Sequence, residues 1–303
     1  MKKLIFIVFL MIPSWLFSQQ IADSTYNPII HNPEYNMGMG SIVFIDEGHN
    51  NFHTKNGRFK AFARLLEKDG YNVKEYEGLF DKKKLEEGKI LVISNALNKI
   101  NVTDWFLPNP SAFTEPEIEI VKQWVSEGGS LFLIADHMPM AGAAKDLAAV
   151  FGFEFTNGFA LDTSVRGPSF FYLKDKTLVE NTITNGRNDS ERVEQVATFT
   201  GQAFKISNKS TPILIFNSNF INLSPDTAWV FNDKTIKYSV AGWSQGAYAE
   251  YGNGRVVVFG EAAMFTAQLA GPNAIKVGMN SAEAPENHQL LLNIIHWLDG
   301  KLK

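Results

Sequence analysis

The eight residues Asp46-Glu47-Gly48-His49-Asn50-Asn51-Phe52-His53 hold two carboxylates and two imidazoles. A second pair, Asp136-His137, and a lone acid, Glu261 after Gly260, lie far along the chain. Three of the six histidines fall in these short stretches. His49 and His53 are four apart, a spacing that on a helix puts both rings on one face, as metal sites use. Gly48 and the pair Asn50-Asn51 argue instead for a loop. With Asp46, Asp136 or Glu261 added, the set offers three or four ligands, and the cofactor it allows is a divalent metal ion held by His49 and His53. Without a metal, Asp136, His137 and Glu261 are the candidates for general acid and base. Asp46, Glu47 and Asn50 are then the candidates for holding a polar ligand. A third reading is structural: a hydrogen-bonded network that fixes two loops. All three stand open at this level.

Other polar residues carry less. His288 and His296 lie in the last helical segment and His31 in an irregular lead-in; none is assigned a role. Arg166, Arg187 and Arg192 read as ion-pair partners before they read as an anion clamp. Trp243, Gln245 and Tyr248 could form a sugar platform, but an exposed hairpin accounts for them equally.

The elements that must position these residues follow from hydrophobic pattern. Stretches 41–46, 89–94, 130–135 and 255–260 are nearly continuous apolar runs, the signature of strands buried on both faces. Stretch 71–76 is a further strand. Helices are expected at 58–68, 114–127, 142–151 and 285–298. The second opens on Thr114-Glu115-Pro116-Glu117, a capping box with Pro in its first turn, and stops at Gly128-Gly129. Strands alternating with helices imply a mostly parallel sheet with helices on both faces. Ligands of such sheets sit beyond the C-terminal strand ends, where Asp46, Asp136 and Glu261 fall. Residues 153–250 break the rhythm with short strand-like pieces at 170–173, 193–199, 212–216, 229–231 and 238–241. They read as a β-rich elaboration or a small second domain.

The chain opens Met1-Lys2-Lys3, an apolar run and Ser18 before Gln19-Gln20. This reads as a signal peptide over 1–18, with an extended lead-in over 19–40 and the main domain over 41–303. The expected product is exported, periplasmic or secreted. The apolar run is too short to span a bilayer comfortably, so no stable membrane span is expected after cleavage. Loss of Lys2 and Lys3 takes the formal charge from −4 to about −6, which argues against nucleic acid as a partner. There is no Cys. Disulfides, a lipid-bearing Cys and thiolate chemistry are therefore excluded.

The strand 42–46, the capped helix, Gly128-Gly129-Ser130-Leu131-Phe132-Leu133-Ile134-Ala135 and Gly254-Arg255-Val256-Val257-Val258-Phe259-Gly260-Glu261 resemble the class I glutamine amidotransferase-like superfamily. The similarity is to its exported DUF4350 type and, more distantly, its trehalose-utilisation type. It covers roughly 41–152 and 252–300. The resemblance implies a flavodoxin-like three-layer sandwich, with the β-rich insertion at about 153–250. Amidotransferases of this superfamily carry a nucleophilic Cys in the turn after the strand that follows Gly-Gly; here Ala135-Asp136-His137 stands there. Two function classes follow. One is an exported hydrolase of a carbohydrate-type or other small polar substrate. The other is a non-catalytic ligand- or glycan-binding module on a degenerate amidotransferase-like fold.

Overall fold

The computed structural model describes residues 20–303; the expected signal segment lies outside the described residues. The fold is mixed α/β around a nine-stranded sheet. Its strands are β1 (Ile42–Asp46), β2 (Asn72–Tyr76), β3 (Ile90–Ser94), β4 (Ser130–Ile134), β5 (Phe153–Phe155), β6 (Phe204–Ile206), β7 (Thr211–Ile215), β8 (Ser244–Tyr251) and β9 (Gly254–Phe259). The order is β2-β1-β3-β4-β9-β8-β6-β5, with β7 also paired to β8. The first five strands in this order are mutually parallel. The strands beyond β9 pair antiparallel, so the sheet is less parallel than the sequence pattern predicts. Part of the β-rich region accounts for this: β5, β6, β7 and β8 extend the main sheet. The rest forms a three-stranded sheet (Phe159–Asp162, Phe220–Ser224, Ile236–Ser239) and a two-stranded ribbon (Ser169–Tyr172, Gln195–Thr198). The expected strand at 229–231 is irregular, and Trp229 there has φ +65°.

Alternation along the central strands feeds two cores. Val43, Ile45, Val92, Phe132, Ile134, Val257 and Phe259 face one side. There they meet Phe62 and Leu66 of α1 (Lys60–Lys68) and Leu291, Ile294 and Ile295 of the C-terminal helix Asn287–Leu298. Phe44, Leu91, Ile93, Leu131, Leu133, Val256 and Val258 face the other. They meet Val121, Trp124 and Val125 of α2 (Glu115–Ser126) and Leu147 of α3 (Met140–Val150). Burial on both faces explains why these strands carry almost no polar residue until their last position. The capping box of α2 forms as its sequence predicts. At the other end of the helix, a Cβ on Gly129 would lie 2.2 Å from the Trp124 ring, so glycine is required for the helix to return into β4.

The chain runs from β1 outward to β2, then back across β1 to β3. Strand order therefore reverses between β1 and β3, the position at which open α/β sheets carry ligands beyond their C-terminal strand ends. Asp46 and Ser94 are the last residues of those two strands.

Candidate functional site

The polar strand ends divide into two clusters. The first is closed. Asp46 is fully buried and both of its oxygens lie 2.9 Å from His49 Nδ1. Asn51 Nδ2 donates to the same carboxylate at 2.9 Å and the Gly48 N–H at 3.1 Å. His49 Nε2 lies 2.9 Å from Glu117 Oε1, which also accepts from the Phe80 N–H. Glu117 Oε2 takes the Thr114 N–H and hydroxyl at 3.0 and 2.7 Å. The imidazole sits between the rings of Phe80 and Phe113, at 4.5 and 4.8 Å. Burial alone depresses a histidine, yet here two flanking carboxylates outweigh it and raise His49 above its ordinary value. Glu117 is held down against burial by hydrogen bonds from Thr114, His49 and Phe80. With Nδ1 against Asp46 and Nε2 against Glu117, both ring nitrogens of His49 are engaged by carboxylates and neither faces an open position.

His53 lies on the other side of the sheet. It stacks on Phe59 at 4.9 Å, within the α1 core, whereas Phe80 and Phe113 belong to the α2 core. The structure does not bring His49 and His53 together, as a shared metal would need: the loop sends the two rings to opposite cores. Among the described residues no three His, Asp or Glu side chains are placed to hold a metal ion. His53 Nδ1 lies 3.0 Å from Ser94 Oγ, and burial, then the charge of Arg58, pushes it down to about 3. Glu47 turns back onto its own loop, accepting the Lys55 N–H at 2.7 Å, and burial raises it. Asn50 is exposed, in a left-handed conformation, with Nδ2 on the Leu97 carbonyl.

The second cluster is open. Asn95, directly after β3, and Asp136, just beyond β4, exchange two hydrogen bonds at 2.9 and 2.8 Å. The Ala262 N–H donates to the other Asp136 oxygen at 3.1 Å, so Asp136 is tied to the ends of β3 and β9 together. Asp136 keeps partial exposure. Glu261 does not: it is 1% exposed, and its oxygens accept from Ala263 and Met264 at 2.9 and 2.8 Å. Burial and then the Asp136 charge raise it well above the carboxylate range. This placement gives Glu261 the turn 261–264 to hold and leaves Asp136 as the carboxylate of this cluster with access, beside a buried His137.

His137 donates Nδ1–H to the Met138 carbonyl at 2.7 Å. Because a carbonyl only accepts, the ring is fixed as the tautomer whose Nε2 carries a lone pair. Burial lowers its basicity. The ring stacks on Phe159 at 4.2 Å and meets the edge of Trp229 at 4.7 Å, with Trp105 at 6.2 Å. Phe52, over the β1 end, continues the row against Trp105 at 5.7 Å. Trp229, Val230 and Phe231 remain exposed at this rim. The arrangement is a row of aromatic faces beside a fixed carboxylate and a fixed imidazole lone pair. Phe159 and His137 are buried, so the surface that can stack a flat apolar face of a ligand is Trp229 with Trp105, and the acceptor beside it with access is Asp136.

Glu117, Ser94, Asn95, Trp105, Phe159 and Trp229 are site residues that the sequence reading passes over. Glu117 had a signal, the third position of a capping box, and Asn95 another, its place directly after a buried strand. The aromatic residues come from loops and from the three-stranded sheet, and no local pattern ties them to His137.

No family model matches the chain, and no curated protein matches it. Among solved structures, the mmIFT52 N-terminal domain is similar over 85% of this chain and 97% of its own, at 13% identity and TM-score 0.61. Cytoplasmic Protein STM3548 from Salmonella typhimurium covers 85% of this chain and 98% of its own, at 14% identity and TM-score 0.50. A putative thua-like protein from Bacteroides uniformis matches at 11% identity and TM-score 0.46, over 91% of this chain and 96% of its own. These likenesses concern the fold.

Proposed function

We propose that this chain binds a carbohydrate-type or similarly hydroxylated small ligand over the C-terminal ends of β3 and β4. The observation that carries the reading is the His137 surround: Trp105, Phe159 and Trp229 packed about an imidazole whose neighbour Asp136 is held by Asn95 and Ala262. Sugars present apolar C–H faces and many hydroxyls, and this rim offers rings and acceptors in that combination. The finer fold reading belongs with this proposal: a flavodoxin-like three-layer sandwich of the amidotransferase-like type, supported by the order β2-β1-β3-β4-β9 and by helices in both cores. So does export, which the signal-like sequence 1–18 supports.

A hydrolytic reading is favoured by one observation, the fixed His137 tautomer with its Nε2 lone pair beside Asp136. In that reading His137 is the general base toward water and Asp136 orients the ligand. The test is titration calorimetry with neutral mono- and oligosaccharides, run beside a glycoside and ester hydrolysis screen. Saturable binding lost in Trp229→Ala supports the binding reading. Turnover abolished in both His137→Gln and Asp136→Asn supports the hydrolytic one. Absence of binding and turnover rejects both.

A further inference from the structure

Four arginines are half-buried: Arg58, Arg187, Arg192 and Arg255. Arg187 pairs with Glu34 and Glu191, and Arg192 with Glu180 and Glu194. Arg255 donates to the carbonyls of Trp297 and Leu302. Arg58 differs. Its guanidinium carbon lies 3.9 Å from the centre of the Phe52 ring, and its Nε is buried with no acceptor among the described residues. No carboxylate compensates its burial, which lowers it. A guanidinium taken part-way out of water without a partner is costly, and Arg is the side chain whose planar fork best fits an oxyanion.

Its position is what gives this a function. Phe52, which Arg58 covers, is the ring that meets Trp105, and Trp105 leads to His137. The Phe52 N–H donates to the Asn95 carbonyl at 3.0 Å, and the Asn95 side chain holds Asp136. His53, the neighbour that feels the Arg58 charge, is bonded to Ser94, one residue before Asn95. Arg58 is therefore linked through Phe52 and Trp105 to His137, and through Phe52 and Asn95 to Asp136, at the same strand-end edge of the sheet. Glu47 on that loop is occupied by the Lys55 N–H, and Lys55 itself pairs with Glu67.

We propose that Arg58 is the oxyanion-binding element of this cleft, and that the ligand carries a carboxylate or sulfate group at the end remote from Asp136. The proposal rests on the reading that the cleft takes a carbohydrate-type ligand, and it narrows that class to acidic sugars. Opposite ends of such a ligand meet opposite chemistry: hydroxyls on the Asp136 acceptor, the anion on Arg58.

The experiment is titration of the full chain with four probes at constant ionic strength: glucose, glucuronate, glucose 6-sulfate and sodium sulfate. Binding is read by calorimetry and by the ¹⁵N resonance of Arg58 Nε. The expected result is that glucuronate or glucose 6-sulfate binds at least about tenfold more tightly than glucose. Whichever acidic sugar gains more identifies the anion. Arg58→Gln removes that preference and Arg58→Lys retains part of it. Equal binding of neutral and acidic sugars by the unaltered protein overturns the proposal, as does a preference that survives Arg58→Gln. Saturable sulfate binding at Arg58 with no sugar binding supports the anion site and rejects the carbohydrate reading. No binding of any probe overturns both.

Discussion

Asn95 and Asp136 hold each other by two hydrogen bonds, Asn95 Nδ2 to Asp136 Oδ2 at 2.9 Å and the Asp136 N–H to Asn95 Oδ1 at 2.8 Å. The pair joins the ends of adjacent parallel strands and aims the partly exposed carboxylate of Asp136. Asn95 is buried and left-handed at φ +49°, a conformation that asparagine tolerates and β-branched residues do not. Asn95→Ala is expected to leave Asp136 misdirected and to cost about 1–3 kcal/mol of stability, the usual penalty for unpairing a buried polar group. Urea unfolding measures the loss, and weakened ligand binding should accompany it. An unchanged midpoint would count against this role.

The Asp46–His49–Glu117 cluster makes a separate prediction about stability. His49 is raised in the folded state. Its contribution is therefore fully present below the unfolded value of about 6.5 and is lost as pH rises through the folded value. Glu117 is lowered, so its contribution is present above the unfolded carboxylate value and is lost as pH falls through the folded one. Replacing His49 with Ala leaves two buried carboxylates facing each other and is expected to cost about 3–5 kcal/mol. Unfolding curves collected from pH 5 to 9 should show the wild-type advantage shrinking at the alkaline end.

The two histidines of the same loop should titrate oppositely. His49 is expected to stay protonated near neutrality, whereas His53, pushed down to about 3 by burial and Arg58, is expected to stay neutral throughout pH 5–8. Because the unfolded chain protonates His53 near 6.5 and the folded one does not, this residue removes stability as pH falls below 6.5. Ring ¹⁵N shifts report both states directly. A His53 midpoint near 6.5 would contradict its burial against Phe59.

Aromatic truncation should separate binding from folding. Trp229 is 51% exposed and rests its edge on His137 and Phe159. Trp229→Ala is expected to weaken a stacked ligand by about 1–3 kcal/mol, by analogy with other aromatic stacking platforms, while the unfolding midpoint moves little. Trp105→Ala should behave alike. A loss of fold with either change would assign the rings to the core.

The central strands were legible because burial on both faces restricts residue type: 42–46, 90–94, 130–134 and 254–259 are apolar except near their ends, at Asp46, Ser94, Ser130 and Arg255. The antiparallel half was less so: β7 is anticipated by the strand-like piece at 212–216, but β5 and β6 are three residues each and look like loop until β6 pairs with β8 and β5 with β6. Of the candidate residues, Asp46, Asp136 and Glu261 lie at C-terminal strand ends, as their place after apolar runs implies. Spacing could not say that His49 would be captured by Glu117 of α2, 68 residues away in sequence, while His53 crosses to the α1 core. Nor could it join Trp105 and Trp229 to His137. Those are tertiary contacts between irregular segments, and irregular backbone has no period from which a face can be read.

The most direct test of the central claim is a ¹H–¹⁵N correlation spectrum of the uniformly labelled chain, titrated with neutral and acidic sugars. The account predicts saturable shifts of the indole N–H groups of Trp105 and Trp229, the His137 ring and the backbone of Asn95 and Asp136, joined by Arg58 Nε for the acidic sugars, with His49 unmoved. Shifts absent from those groups, or centred on the Asp46–His49–Glu117 cluster, would contradict it.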